Sequence, residues 1–203
     1  KYFALVINFS GTPDVEFVYP TNSPTDSSVL VRGSINLLAG ELNLDNDHNP
    51  SNGGGRWITL EAAAGTSLSR IAGYIRSEVE NGNGLFKWVI GTNATTHIIP
   101  FGYNSSTYIP LTAAITSGNA GSFYAGTYRA STANLPLPPT VSNLTYGSGN
   151  NLSPIMIDRF WYVNTAGATP TMNLNFSLSA AEAGSITDFR AIRWNTSTSA
   201  WTN

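Results

Sequence analysis

The sequence predicts an all-β protein: a short β-roll or meander packed on an antiparallel two-sheet β-sandwich. Three observations predict it. Apolar and β-branched runs of about five to nine residues alternate with clusters of Gly, Pro, Asn and Ser, the pattern of strands separated by turns. Most runs end in a pair with turn chemistry, such as Asn81-Gly82, Asn83-Gly84 or Ser117-Gly118. Only Ala180–Gly184 has even one turn of helical character.

In chain order, the first expected strands are Tyr2–Phe9 and Val15–Tyr19, followed by Val29–Arg32, Ile35–Leu38, Glu41–Leu44 and Trp57–Glu61. From Ser28 to Glu61 short Leu- and Val-rich segments are separated by single glycines, which suggests stacked rungs of a parallel roll or a tight meander. A roll of one or two rungs cannot bury a core unaided, so this part must pack on the second half or on neighbouring sequence. Longer strands rich in aromatics follow: Ala72–Val79, Leu85–Ile90, Thr96–Phe101, Tyr108–Thr116, Gly121–Tyr128, Met156–Asn164, Met172–Leu178, Phe189–Asn195 and Ala200–Thr202. The expected division is residues 1–84 for the N-terminal strand plus roll or meander, and 85–203 for the sandwich. Asn134–Asn151, rich in Pro, Gly and Asn, reads as a long surface connection that crosses between the sheets.

Composition narrows the function. Hydrophobic residues make up 41% of the 203, enough for a packed core, whereas charged residues are only 11%, so solubility rests on neutral Ser, Thr, Asn and Gly. With ten cations scattered along the chain and a net charge of −2, nucleic acid is not an expected partner. The same sparsity removes the electrostatic route to an anionic membrane, and no apolar run approaches the ~18 residues of a membrane span. The chain has no cysteine, hence no disulfide framework or thiolate metal site. Lys1 leads directly into an apolar strand without a cleavage site, so the chain is expected to start at a processed terminus or inside a longer protein.

The stretches GYIRSE (73–78), NGNGLFKWVIGT (81–92), PFGYNSSTYIPL (100–111) and GSFYAGTY (121–128) recur in this order with DRFWYV (158–163), NFSLSAAE (175–182) and RWNTSTSAWTN (193–203). Together with GSINLLAGELNL (33–44) they resemble a recurrent β-sandwich module of very large secreted proteins of Bacteroidota, over roughly residues 28–203. The resemblance implies a cell-surface or released adhesin or scaffold exported by the type IX secretion route, and implies no chemistry. The sorting domain expected of such proteins is missing, which suggests a fragment or processed piece.

Candidate chemical sites are few. His48 sits in a polar loop and His97 opens an apolar strand, so neither is expected to be a nucleophile's base or a zinc ligand. Asp45, Asp47 and Asn49 offer oxygens at alternate positions as calcium loops do, but Pro50 stands where a Gly is expected and no Glu closes the loop. Glu78 and Glu80 fall at alternate positions of an expected strand, which places them on its solvent face, and Glu41 and Glu61 lie apart in the first half. Arg76 and Glu78, Asp158 and Arg159, and Asp188 and Arg190 are candidates for cross-strand charge pairs that fix register. Trp88, Trp161, Trp194 and Trp201 are expected mainly in packing; alternation puts Phe160 and Tyr162 on one face of a strand and Trp161 on the other, and one face could stack on sugars. Seven Asn-x-Ser/Thr sequons, from Asn8 to Asn195, reflect the composition rather than glycans.

No catalytic, cofactor-binding or metal-binding residue is assigned, and no cofactor and no enzyme activity are expected. The expected function is that of an extracellular structural or adhesive protein, a surface-protein repeat or filament subunit that self-associates, with residues 1–11 as a candidate for strand addition. The alternative is a carbohydrate-binding module meeting surface polysaccharide.

Overall fold

The computed structural model describes residues 2–9, 15–16, 28–44, 57–80, 84–146 and 149–202. His48, Asp45, Asp47 and Asn49 lie outside the described residues, as do Asn81 and Gly82. Among the described residues the chain is all-β, with nineteen strands and one short helix.

The first half is built from parallel strands. β1 (Tyr2–Asn8) pairs parallel with β3 (Ser28–Ala39), which pairs parallel with β5 (Trp57–Leu60) and β6 (Leu68–Arg70) along its length. A second parallel set is β2 (Val15–Glu16), β4 (Glu41–Asn43) and β7 (Tyr74–Arg76). Parallel neighbours need a crossover of a dozen or more residues, and here each crossover supplies a strand of the other set. A meander would have paired these strands antiparallel. Val29, Val31, Ile35 and Leu37 of β3, with Ile58 and Leu60 of β5, all point into the core, so both sets close over a dry Val, Ile and Leu interior.

The two strands expected at Val29–Arg32 and Ile35–Leu38 are one. Gly33 does not turn the chain; it lies within β3, where the register to β1 slips between Tyr2 and Ala4 and a Cβ would run into the Phe3 carbonyl oxygen. The turn falls at Gly40, whose φ of 86° favours glycine.

β8 (Leu85–Val89) changes the direction of pairing. It is parallel to β5 on one side and antiparallel to β13 (Ser122–Arg129) on the other, and β13 is antiparallel to β16 (Arg159–Thr165). One seven-stranded mixed sheet therefore runs from β1 to β16. A separate three-stranded antiparallel sheet of β9 (Thr96–Ile99), β12 (Leu111–Ser117) and β17 (Thr171–Phe176) contributes Ile99, Leu111, Ala113 and Ile115 to the same core cluster. Edge-to-face rings of Trp88 and His97, with centroids 4.8 Å apart, join the two layers at one end, and Trp161 on Phe176, at 5.4 Å, at the other. Between β9 and β12 the chain makes a small hairpin, β10 (Gly102–Asn104) with β11 (Thr107–Tyr108).

The Asn134–Asn151 connection does not cross between sheets. It joins β13 to β16, which are neighbours in one sheet, and packs on a second apolar cluster of Tyr128, Val141, Leu152, Phe160 and Trp201. Within it β14 (Thr145–Tyr146) pairs with β15 (Asn150–Asn151), and the C-terminal hairpin of β18 (Arg193–Asn195) and β19 (Ala200–Thr202) seals the cluster with an edge-to-face Trp194–Trp201 pair. The helix α1 (Ala180–Ala183) starts at a capping box: the Ser179 hydroxyl accepts from the Glu182 amide while the Glu182 carboxylate accepts from the Ser179 amide.

Five of the seven sequons have a structural job. The Asn side chains at 93, 104, 143, 151 and 195 each accept the backbone N–H two residues on, at 2.9–3.0 Å, closing turns between strands.

The close approach at Gly33 gives a direct test. Gly33→Ala forces the Phe3 carbonyl away and weakens the start of β1, at an expected cost of about 1–3 kcal/mol. Urea unfolding measures it, and a midpoint equal to that of the wild type would contradict the packing described.

Candidate functional site

Three features stand out once the sheets are placed: a buried ion cluster, a hollow beside it and an aromatic groove on the outer face of the mixed sheet.

Arg159, at the start of β16, is fully buried and joins separate parts of the chain. Its Nη1 donates to Glu78 Oε1 at 2.8 Å and to Thr127 Oγ1 at 3.0 Å, and its Nε donates to Glu182 Oε1 at 2.8 Å. Glu78 Oε2 accepts the Arg129 amide at 2.8 Å, and the Thr127 hydroxyl passes its proton toward the Phe160 carbonyl at 2.8 Å. Every carboxylate oxygen of the pair is thus occupied, as a buried charge requires. Burial by itself pushes the Glu182 carboxyl up, but the hydrogen bond and charge of Arg159 and the two Ser179 contacts outweigh it and hold it below its ordinary value.

This arrangement corrects the sequence expectations. Glu78 is buried rather than on a solvent face, because the chain leaves the β7 strand at Arg76 and turns inward. Of the residues expected in cross-strand charge pairs, Arg159 meets Glu78, with Glu182 as a second partner that was not expected, and Arg76 approaches Glu41 of the neighbouring strand at 3.9 Å, where Tyr74 also donates to Glu41 at 2.6 Å. Asp188 and Arg190 form a pair only at 3.9 Å and in full solvent. Sequence reasoning missed Glu182, which 23 residues and a strand separate from Arg159; the signal it did not use is the Ser-x-x-Glu spacing of Ser179 and Glu182.

Beside the cluster lies a hollow of about 360 Å³ lined by Arg76, Glu78, Glu80, Tyr103 and Arg129. The guanidinium groups of Arg129 and Arg159 approach the Tyr103 ring, with distances of 5.6 and 5.7 Å to its centroid. Signs alternate around it, and Glu78 is engaged by Arg159, so its two acids do not stand free across a cleft.

His97 is buried in β9. Its Nε2 lies 2.8 Å from the Ala63 carbonyl, which can only accept, so the proton sits on Nε2. The Trp88 indole donates to the adjacent Ala62 carbonyl at 2.8 Å. Both side chains pin the segment between β5 and β6, which is positioning work. Among the described residues no group of three or more acids or histidines is placed to hold a metal ion.

The groove encloses about 480 Å³ over β5, β8, β13 and β16. Side chains alternate along each strand, so Phe86, Trp88, Phe123 and Ala125 face the core while Trp57, Leu85, Tyr124 and Tyr162 face outward. Trp57 is 40% and Tyr162 43% exposed, and Trp57 meets Tyr124 edge-on with centroids 6.4 Å apart. Gly126, paired with Tyr162, sits between them, because a Cβ there would come within 2.9 Å of the Gly84 carbonyl oxygen and of Leu85. One wall is the 136–140 segment with Pro138 and Pro139. It is fixed by the Tyr128 hydroxyl, which donates to the Pro136 carbonyl at 2.8 Å and is kept protonated by burial and by the charge of Glu80. The expected split of β16, Phe160 and Tyr162 on one face and Trp161 on the other, is what forms. Sequence reasoning missed Trp57 and Tyr124; the signal was their alternation against Ile58, Leu60 and Ala125.

Compared with family models, curated proteins and solved structures, the chain matches none.

Two outcomes test the ion cluster. Arg159→Met strands two buried carboxylates and is expected to cost about 3–5 kcal/mol, read from the denaturant midpoint. Because Glu182 is held below its ordinary value of 4.5, it adds stability above that pH and loses it as pH falls through the lowered value. Glu182→Gln should therefore flatten the fall of unfolding free energy on acidification below pH 4.5. Parallel wild-type and variant curves would contradict the ionised pairing.

Proposed function

We propose that the protein is an extracellular structural or adhesive component, a non-catalytic surface-protein repeat or filament subunit that associates through its first strand. One observation carries this reading: β1 ends the mixed sheet, and among the described residues it pairs only with β3. Its other edge offers a row of backbone donors and acceptors flanked by Tyr2, Phe3 and Val6, which are 52%, 81% and 54% exposed. Parallel strands are rarely left wet, and an end rung without charged side chains is where a stack accepts another strand.

The strand is not free to be donated. Ile7 is buried in the chain's own core and Leu5 packs against it, so association uses the open edge of a strand already in its sheet. The location outside the cell is supported by the resemblance of residues 28–203 to the Bacteroidota module and by the low charge. Among the described residues no helix is long and apolar enough to cross a membrane. The reading of the fold as a short roll packed on a two-sheet sandwich belongs to the same proposal; its support is the parallel pairing up to β8 and the shared core between β8–β13–β16 and β9–β12–β17.

Sedimentation velocity and negative-stain electron microscopy test the reading. The wild type is expected to form larger species as concentration rises, and Val6→Lys, which puts a charge on the exposed edge, to suppress them while leaving the unfolding midpoint within about 0.5 kcal/mol. A wild type that stays monomeric, or a Val6→Lys variant that assembles equally well, would refute assembly through β1.

A further inference from the structure

We propose that the outer-face groove is a binding site for a neutral polysaccharide chain, with Trp57 and Tyr162 as stacking platforms and Asn164 and Thr140 as polar contacts. The site stands apart from the β1 edge, so it does not depend on self-association.

The pairing registers place the two platforms in one row across the sheet. Trp57 is level with Leu85 of β8, Gly126 is level with Tyr162, and the Ala125–Phe86 pair links the two halves. Three strand spacings separate β5 from β16, about 14 Å at the usual interval, so the row suits an extended chain of linked rings rather than a single small molecule. Gly126 leaves the floor between the platforms low. In the adjacent row Tyr124 is paired with Asn164, whose side-chain amide reaches toward the Tyr162 hydroxyl at 3.5 Å.

The chemistry of the lining selects the occupant. No charged side chain lines the groove among the described residues; the nearest cation, Lys87, stands over the Tyr124 ring with its ammonium 5.3 Å from the centroid, so its charge is directed at that ring and the trough itself suits a neutral ligand. Exposed Trp and Tyr rings offer flat apolar faces to the C–H faces of pyranose rings, and Asn164 and Thr140 supply neutral donors and acceptors at the rim for hydroxyl groups. A buried ligand would need more enclosure; a polymer lying across a sheet needs only this open trough. The wall is preformed, since Tyr128 holds Pro136 and Trp201 donates to the Asn143 carbonyl at 2.9 Å, so little order has to be gained on binding.

Titration calorimetry and tryptophan fluorescence with cellohexaose, xylohexaose, laminarihexaose and mannohexaose test the site. At least one of them is expected to bind with an affinity insensitive to salt and to shift the tryptophan emission. Trp57→Ala and Tyr162→Ala should each weaken that binding about tenfold or more. Should either variant fail to fold, Thr140→Arg, which crowds and charges the rim, is expected to do the same. Absence of binding to all four, binding unchanged in the folded variants, or decaproline occupying the groove in their place would overturn the proposal.

Discussion

The buried Arg159 guanidinium is the constraint on which the assembly of the two halves depends. It draws Glu78 from the end of the parallel strands, Thr127 from β13 and Glu182 from the short helix to one point. Desolvating a charge is costly, and the cost is offset only when every partner stands in place. Removing any one partner would leave the others buried and unpaired, which ties the three segments to one another.

Around that point the sheet does what its edges allow. β8 carries Phe86 and Trp88 into the core, and because both its edges are hydrogen-bonded it lets a parallel stack continue directly into an antiparallel sheet. The core does not stop between residues 84 and 85; Ile58, Trp88 and Phe123 share one apolar cluster. The interior of the parallel strands is shared with residues of the second half, Trp88, Ile99, Phe101 and Phe123 among them.

The outer surfaces follow from the same economy. With few charges to spend, the chain covers itself with Ser, Thr and Asn, and several Asn side chains close their own turns. Exposed apolar side chains are spread over the described residues, Ile71, Leu135, Ile155 and Phe189 among them, and neighbouring ones occur on β1 at Tyr2, Phe3 and Val6.

The two-residue beat of Val, Ile, Leu and aromatic residues sufficed to determine an all-β chain and the split of Phe160 and Tyr162 from Trp161, and the Asn, Gly and Ser clusters its turn chemistry, because these depend on neighbours in sequence. It did not determine that Gly33 lies inside a strand, that β13 and β16 are neighbours across a 29-residue connection, or that Arg159 meets Glu78 and Glu182. Those follow from register and from long-range burial. Trp57, Tyr124 and Tyr162 share a groove because four strands, β5, β8, β13 and β16, are placed side by side, and no local pattern records which strand lies next to which.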